Sequence, residues 1–236
     1  MSRAIELSSA YARLTLQSGV APAATLLQGT RLTEDALASM EFIAAADLAT
    51  IFRNYDRYVQ DRAWTTRLGA QFNIGAHGPL GFAALSAPTL GEALDVIGTL
   101  HESRNTALIA ETVATDTHYL LRFKDATGEP DFADWLMEVV VKTMEELQSV
   151  VIELDARING SVVFGASDDS IAVPLAWRQL PSPLYDESVY RANVIKCREQ
   201  IAAREHSSSI AIAVRNRLSN HFDAQLLAAS GDSPPP

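Results

Sequence analysis

Residues 75–94 are the most informative part of the sequence and read Gly75-Ala-His-Gly-Pro-Leu-Gly-Phe-Ala-Ala-Leu-Ser-Ala-Pro-Thr-Leu-Gly-Glu-Ala-Leu94. Six of its positions are glycine or proline, which predicts a glycine-rich turn, a short apolar helix, a serine–proline break and a second helix. Thr89 followed by Glu92 is a capping-box pattern, and Leu90 begins the apolar face of the second helix. By itself this pattern indicates only a capped helix.

The same run resembles the effector-binding domain of AraC/XylS-type transcription regulators, in the subgroup called arabinose-binding-like. In that family a glycine and a leucine–glycine step precede a small-residue helix, and a serine and a second helix start follow. Ten positions match this pattern: Gly78, Leu80, Gly81, Ala84, Ser86, Thr89, Leu90, Glu92, Ala93 and Leu94. Weaker matches lie at Gly29-Thr30 and Arg67–Gly69, and the family pattern also extends to Phe164-Gly165 and Val173-Pro174. The resemblance implies a domain that binds a small molecule between helices and sheet.

The chain departs from the family between Ile152 and Gly160. Relatives carry a further strand and a short helix at this point, and such a strand often flanks their ligand pocket. The short connection leaves open whether this chain keeps that side of the pocket.

Hydrophobic periodicity predicts an α+β fold. Residues 1–70 are interpreted as helices, and Pro130–Val151 as a long amphipathic helix. Residues 107–113 and 118–123 are predicted to form one hairpin, and residues 161–164 and 170–173 a second. Paired strands on either side of a helix predict a small, mostly antiparallel sheet packed against that helix.

The predicted organisation has three parts. An effector-binding α+β domain covers residues 1–185, with a helical part (1–70) and a mixed part (71–185). A helical linker or dimerisation segment covers 186–229, and residues 230–236 form a linker. By the resemblance, DNA is bound only through a further C-terminal domain that this chain lacks.

The amino-acid composition argues against several classes of function. The chain has 236 residues, 47% of them apolar, and it has no apolar run long enough for a membrane span. A single cysteine, Cys197, excludes an internal disulfide and fits a reducing cytoplasm, where we expect the protein. The net charge of −10 argues against nucleic-acid binding by this chain itself, although six Lys/Arg against two acids lie between Arg191 and Phe222.

No catalytic or metal motif is found. The five histidines have no metal-ligand spacing, and no Walker lysine or nucleophile elbow occurs. We therefore expect no catalytic residue, no metal and no cofactor.

A binding pocket is the preferred interpretation for the charged and aromatic side chains that lie among apolar ones. The candidate ligand-binding residues are His101, Arg104, Tyr119, Arg122, Trp135 and Glu138. The alternative is that Arg104 and Glu138 are ordinary surface charges and that Trp135 belongs to the core.

The last helical segment carries an apolar row that is a candidate homodimer contact. Its members are Ile210, Val214, Leu218 and Phe222. The alternative is that this row docks on its own domain. The predicted function is small-molecule sensing and dimerisation for an AraC-type regulator. The alternative function is a free-standing ligand-binding protein or an α+β enzyme.

Overall fold

A computed structural model of the protein describes residues 4–61, 63–72, 74–151, 161–163 and 169–206. Short helices surround a four-stranded antiparallel sheet, and a separate pair of short strands lies near the N-terminus. The α+β class predicted from the sequence is confirmed.

The first part of the chain contains both helices and strands. In order along the chain, its elements are β1 (Glu6–Ser8), α1 (Ala10–Gln17), α2 (Ala23–Leu26), α3 (Glu34–Ser39), β2 (Phe42–Ala44) and α4 (Ala45–Val59). β1 and β2 pair antiparallel and place buried Leu7 opposite buried Ile43. The helical interpretation of residues 1–70 missed both strands, because three residues are too few to show a period of two.

Residues 75–94 form the helices and turns that their glycine, proline and serine positions predict. After α5 (Trp64–Gly69) come a 3₁₀ turn (Ile74–His77), α6 (Pro79–Leu85), α7 (Leu90–Leu100) and a second 3₁₀ turn (His101–Ser103). Gly78 has a φ of 58°, a conformation that favours glycine, and Pro79 follows at the first helical position. The Thr89 hydroxyl accepts a hydrogen bond from the backbone N–H of Glu92 at 3.2 Å and caps α7. α7 ends at Leu100, and the second 3₁₀ turn follows it directly.

The four-stranded sheet consists of the two predicted hairpins. Its strands are β3 (Leu108–Ala114), β4 (His118–Asp125), β5 (Ser161–Val163) and β6 (Asp169–Pro174), arranged in the order β3-β4-β6-β5 with every pair antiparallel. Leu121 of β4 lies opposite Ile171 of β6, and both side chains are fully buried.

The long helix α8 (Pro130–Val151) lies between the two hairpins in sequence, as predicted. Phe132, Leu136 and Val139 on its predicted apolar face are buried in a core that also includes side chains of β1, α4 and the sheet. The helix packs tightly against α5 at Gly69. A Cβ atom there would lie 2.7 Å from the Cβ of Lys142 and 2.9 Å from the carbonyl oxygen of Val139.

The last helix described, α9, covers residues 187–206 and lies within the helical segment predicted for 186–229. It follows a 3₁₀ turn (Leu175–Gln179) and packs buried Cys197 against Leu80 and Leu100. The predicted dimer row (Ile210, Val214, Leu218, Phe222) and the connection Ile152–Gly160 lie outside the described residues.

Candidate functional site

The six sequence-predicted binding residues lie in three separate places. Trp135 and Glu138 line an open cleft, His101 and Arg104 lie in a buried polar cluster, and Tyr119 and Arg122 lie on β4. The structure therefore does not bring the six together, and their roles in binding stay a prediction.

An open cleft of about 560 Å³ lies between the end of α4, the start of α5 and the first half of α8. Its lining consists of two tryptophans, five carboxylates and one amide: Trp64, Trp135, Asp56, Asp61, Asp131, Asp134, Glu138 and Gln60. Neither lysine nor arginine belongs to this lining among the residues that the structure describes. We call this site the aromatic–acidic cleft.

The floor of the cleft is aromatic. The ring of Trp64 is 1% exposed and packs edge-on against Phe52, with 5.3 Å between ring centroids. It also packs against Tyr55 at 5.0 Å and against Trp135 at 5.6 Å. Because Trp64 is held by rings on several sides, it forms a rigid support, while Trp135 is only partly buried and is available to a ligand.

Three of the five carboxylates accept hydrogen bonds from neighbouring groups. Asp56 accepts one from the indole N–H of Trp64 at 2.8 Å, and Glu138 accepts one from the hydroxyl of Thr65. Asp61 accepts hydrogen bonds from the Ala63 backbone N–H and from Arg67, which lower the pKa of its carboxyl group.

The other two carboxylates, Asp131 and Asp134, are exposed. Neither forms an ion pair or a hydrogen bond through its side chain within the described part of the chain. The cleft therefore presents negative charge that its own walls do not neutralise.

Sequence reasoning found Trp135 and Glu138 but missed the rest of this lining. A signal was present on α8, because positions 131, 134, 135 and 138 follow the i, i+3, i+4, i+7 spacing of one helical face. The buried residues Phe132, Leu136 and Val139 lie off that face. The lining residues on α4 and α5 could not be predicted in this way, because no local sequence pattern shows which helices pack beside α8.

Tyr119 and Arg122 lie on opposite faces of β4. Odd positions from Tyr119 to Phe123 are buried against the helices, so Arg122 points to the other side of the sheet. Tyr119 donates its hydroxyl to Asp95, and the guanidinium of Arg178 lies 4.7 Å from the centre of its ring. Tyr119 is thus held by neighbours on α7 and on the last 3₁₀ turn.

A second concentration of polar groups is buried where β1 and α1 meet the first two 3₁₀ turns, Ile74–His77 and His101–Ser103. It comprises Tyr11, His77, His101, Arg104 and Asn105, each at most 8% exposed. We call it the buried polar cluster. The Tyr11 hydroxyl lies 3.2 Å from Nδ1 of His77, and the ring of His101 packs 5.5 Å from that of Phe123.

The guanidinium of Arg104 is fixed in this cluster. It donates to the Ser8 hydroxyl, and its Cζ atom would lie 3.6 Å from a Cβ added at Gly78. The one carboxylate that it pairs with among the described residues is Glu41, at 3.8 Å, and the Glu41 side chain is 58% exposed. Burial lowers the pKa of Arg104.

Burial also controls the protonation of the histidines. It lowers the pKa of His77 to about 3, with additional lowering by the nearby His101 and Arg104. It lowers the pKa of His101 to about 4. Both rings are therefore neutral at pH 7. Burial raises the pKa of Tyr11, against an opposing effect of Arg104 and Asn105, so its hydroxyl keeps its proton.

Helix α9 is attached beside this cluster. Arg204 donates to the backbone carbonyls of Glu102 at 2.5 Å and Ser103 at 3.0 Å, in the 3₁₀ turn that begins with His101. Its guanidinium also lies 4.1 Å from the centre of the Phe42 ring. The last described helix is thereby held by the segment that carries His101, Arg104 and Asn105.

Two further features bear on function. The described side chains include no group of three or more His, Cys, Asp or Glu residues that could hold a metal ion. No helix within the described ranges is both long and apolar enough to cross a membrane.

The fold is that of an α+β domain whose helices precede and flank a small antiparallel sheet. Residues 19–158 match the family model described as the N-terminal arabinose-binding domain of AraC transcription regulators. The match covers more than half of the chain, and the protein belongs to this family. The resemblance found in residues 75–94 is thus confirmed.

A solved structure has a similar fold. The crystal structure of the transcriptional regulator CdpR from Pseudomonas aeruginosa is similar, with a TM-score of 0.51 and 15% sequence identity over 78% of this chain. At that identity the similarity shows a shared fold. The present chain spans about 59% of the CdpR chain. No curated protein matches the sequence.

Proposed function

We propose that this chain is the small-molecule-sensing domain of an AraC-type transcription regulator, and that its effector is an organic cation bound in the aromatic–acidic cleft. The observation that carries the proposal is the lining of the cleft. Five carboxylates and two indoles meet there without a lysine or arginine in the described walls.

The charge of the cleft favours a cation. Carboxylates on adjoining helices repel one another, and a bound ammonium group converts that repulsion into attraction. Asp131 and Asp134 are suited to this contact, because within the described residues no donor competes for their oxygens. Since the site is open to solvent, we expect the affinity to fall as ionic strength rises.

The indoles favour an organic cation over a bare metal ion. A cationic group over the face of a tryptophan gains about 0.5–2 kcal/mol, depending on how far it is desolvated. Trp135 is partly exposed in the cleft, and Trp64 fixes its position from below. A linear diamine or a quaternary ammonium compound could contact a carboxylate and an indole at the same time.

Effector binding produces a signal only if it shifts the protein between two conformations. A ligand shifts a regulator only through its different affinities for two states. The cleft is formed by α4, α5 and α8, so an effector that contacts all three helices would favour the state in which they lie close together.

The remaining parts of the function are proposals on the family's pattern. DNA would be bound through a further C-terminal domain of the complete regulator, in the cytoplasm. Two copies would associate through Ile210, Val214, Leu218 and Phe222. A monomeric chain at tens of micromolar in a sedimentation experiment would contradict this association.

A neutral sugar is the second candidate effector. Indole faces and carboxylates also suit the apolar faces and hydroxyl groups of a sugar. This candidate predicts binding that depends little on salt, whereas the cation candidate predicts binding that salt weakens.

Tryptophan fluorescence can test the proposal. The protein is titrated with 1,4-diaminobutane, tetramethylammonium or arabinose, at low and at high sodium chloride. We expect saturable quenching by the cations that weakens in salt. Trp135→Leu should raise the dissociation constant for the cations about tenfold, through the lost cation–π contact.

Trp177→Phe is the matched control, because Trp177 is the chain's third tryptophan and does not line the cleft. It should leave the dissociation constants unchanged. A response to arabinose alone would replace the cation by a sugar at the same site. No response to any of the three compounds, or an equal effect of both variants, would reject the cleft as the effector site.

A further inference from the structure

A group of buried side-chain nitrogen atoms in the polar cluster has no hydrogen-bond partner among the described residues. Nε2 of His77, Nε2 of His101, Nε of Arg104 and Nδ2 of Asn105 are all inaccessible to solvent and have no hydrogen-bond partner within the described residues. Leaving such groups unpaired in a protein interior costs about 1–3 kcal/mol each. Four of them in one place indicate that the cluster is built around a further chemical group.

The protonation of His77 makes its Nε2 atom a donor. Tyr11 keeps its hydroxyl proton and lies 3.2 Å from Nδ1 of His77, and we assign this nitrogen as the acceptor of the hydrogen bond. In a neutral imidazole the other nitrogen then carries the proton. Nε2 of His77 therefore joins the Arg104 guanidinium and the Asn105 amide as a third donor.

The charge of Arg104 is also incompletely balanced. Buried guanidinium groups are ordinarily paired at short range with a carboxylate, often through two parallel hydrogen bonds. In the described part of the chain Arg104 has only Glu41, which lies at 3.8 Å and is more than half exposed. The side chain cannot turn away to solvent, because Ser8 holds its guanidinium and β1 holds its backbone carbonyl at 2.7 Å.

An anion that accepts hydrogen bonds would satisfy both the unpaired nitrogen atoms and the charge of Arg104. We propose that the buried polar cluster binds a small carboxylate, of the size of formate or acetate, between Arg104, His77 and Asn105. The planar carboxylate matches the fork of the guanidinium and accepts from the remaining donors. The inference is independent of the cation cleft, since the two sites share no residue.

Thermal unfolding in the presence of sodium acetate, sodium formate or sodium chloride at equal ionic strength tests this inference. We expect acetate and formate to raise the unfolding temperature of the wild-type protein in a saturable way, and chloride to leave it nearly unchanged. Equal shifts by all three salts would show an ionic-strength effect only and would overturn the site.

Two substitutions at His77 separate the relevant donor from the rest of the ring. His77→Asn keeps an oxygen for Tyr11 but has no atom at the position of Nε2, and it should weaken acetate binding at least about tenfold. His77→Gln carries an amide nitrogen near that position and should bind acetate within about threefold of the wild-type affinity. Equal affinity in both variants would remove His77 from the site.

Proton NMR of the wild-type protein tests the same site without a substitution, in case His77→Asn fails to fold. Acetate should move the proton NMR signals of the two buried histidine rings, and it should leave the signal of the partly exposed His118 in place. Unmoved signals for His77 and His101 at saturating acetate would reject the proposal. Trp135→Leu should retain the full acetate response, because its side chain lies in the other site.

Discussion

The aromatic–acidic cleft and the buried polar cluster differ in charge, exposure and hydrogen-bonding chemistry. The cleft is open to solvent and presents five carboxylates, which act as acceptors when ionised. The cluster is closed, and its unpaired atoms belong to Arg104, two histidines and Asn105. The two regions would therefore select ligands of opposite charge, and they would do so with different sensitivity to salt and pH.

The two regions also depend on different helix contacts. The cleft requires α5 and α8 to stay close, which they do at Gly69. The cluster requires the 3₁₀ turn at His101–Ser103 to stay against β1 and α9, through the backbone of Arg104 and the side chain of Arg204. A substitution can accordingly disturb one region without touching the other.

Among the substitutions, Gly69→Val should have the largest effect on stability. The new Cβ atom would lie 2.7 Å from the Cβ of Lys142 and 2.9 Å from the carbonyl oxygen of Val139, so α5 must move away from α8. We expect a loss of about 3 kcal/mol in the free energy of unfolding, at the upper end of overpacking effects, measured by urea denaturation. The remaining folded protein should lose its response to diamines and keep its response to acetate.

Thr66→Val on the exposed side of α5 is the control for this prediction and should change the unfolding free energy by less than about 0.5 kcal/mol. A Gly69→Val variant as stable as the wild-type protein would show that α5 and α8 are not in close contact.

Both hairpins, the long helix and the buried face of α8 could be predicted from sequence, because each shows a clear period over several residues. β1 and β2 could not, since each has three residues and their pairing joins positions far apart in the chain. The lining of the cleft could be predicted only in part. Trp135 and Glu138 belong to one helix face, but Asp56 and Trp64 reach the same cleft only through tertiary packing.

The buried cluster illustrates the same limit. His101, Arg104 and Asn105 are neighbours in sequence, and two of them were expected to bind a ligand. Their relation to His77 and Tyr11 depends on the turn at Gly78 and on the pairing of β1 with β2. Neither arrangement has a local signal that would tell which polar side chains it brings into contact.

The pH dependence of the unfolding free energy should distinguish the buried polar cluster, which contains two buried histidines, from the cleft, whose described lining contains none. The pKa of His77 is about 3 and that of His101 about 4 in the folded protein, against an ordinary value of 6.5. Below about pH 6.5 the unfolded chain therefore takes up protons that the folded protein does not. Stability is fully present above that pH and should fall by about 2 kcal/mol per histidine between pH 7 and pH 5.

Urea denaturation at both pH values measures this loss. His77→Gln should remove about half of the difference, because one of the two buried rings is gone. His118→Gln, at the partly exposed start of β4, should leave it unchanged. Equal stability of the wild-type protein at pH 7 and pH 5 would mean that the two rings are accessible to protons in the folded state.

The smallest expected effect concerns the charges of the cleft. Asp134 is one turn from both Asp131 and Glu138 on α8, and like charges at such spacing destabilise a helix by about 0.2–0.5 kcal/mol per pair. Asp134→Asn should therefore stabilise the ligand-free protein by a few tenths of a kcal/mol. Asp131→Asn should give no such gain, because Asp131 lies in the first turn of α8, where the helix dipole favours a negative charge. Asp116→Asn, in the exposed β3–β4 turn, is the matched control and should be neutral.

The gain from Asp134→Asn should disappear in about 1 M salt, at which the screening length falls to about 3 Å. A gain that persists in high salt would assign the effect to helix propensity, and the carboxylates of the cleft would then no longer count as a mutually repelling group that a cation relieves.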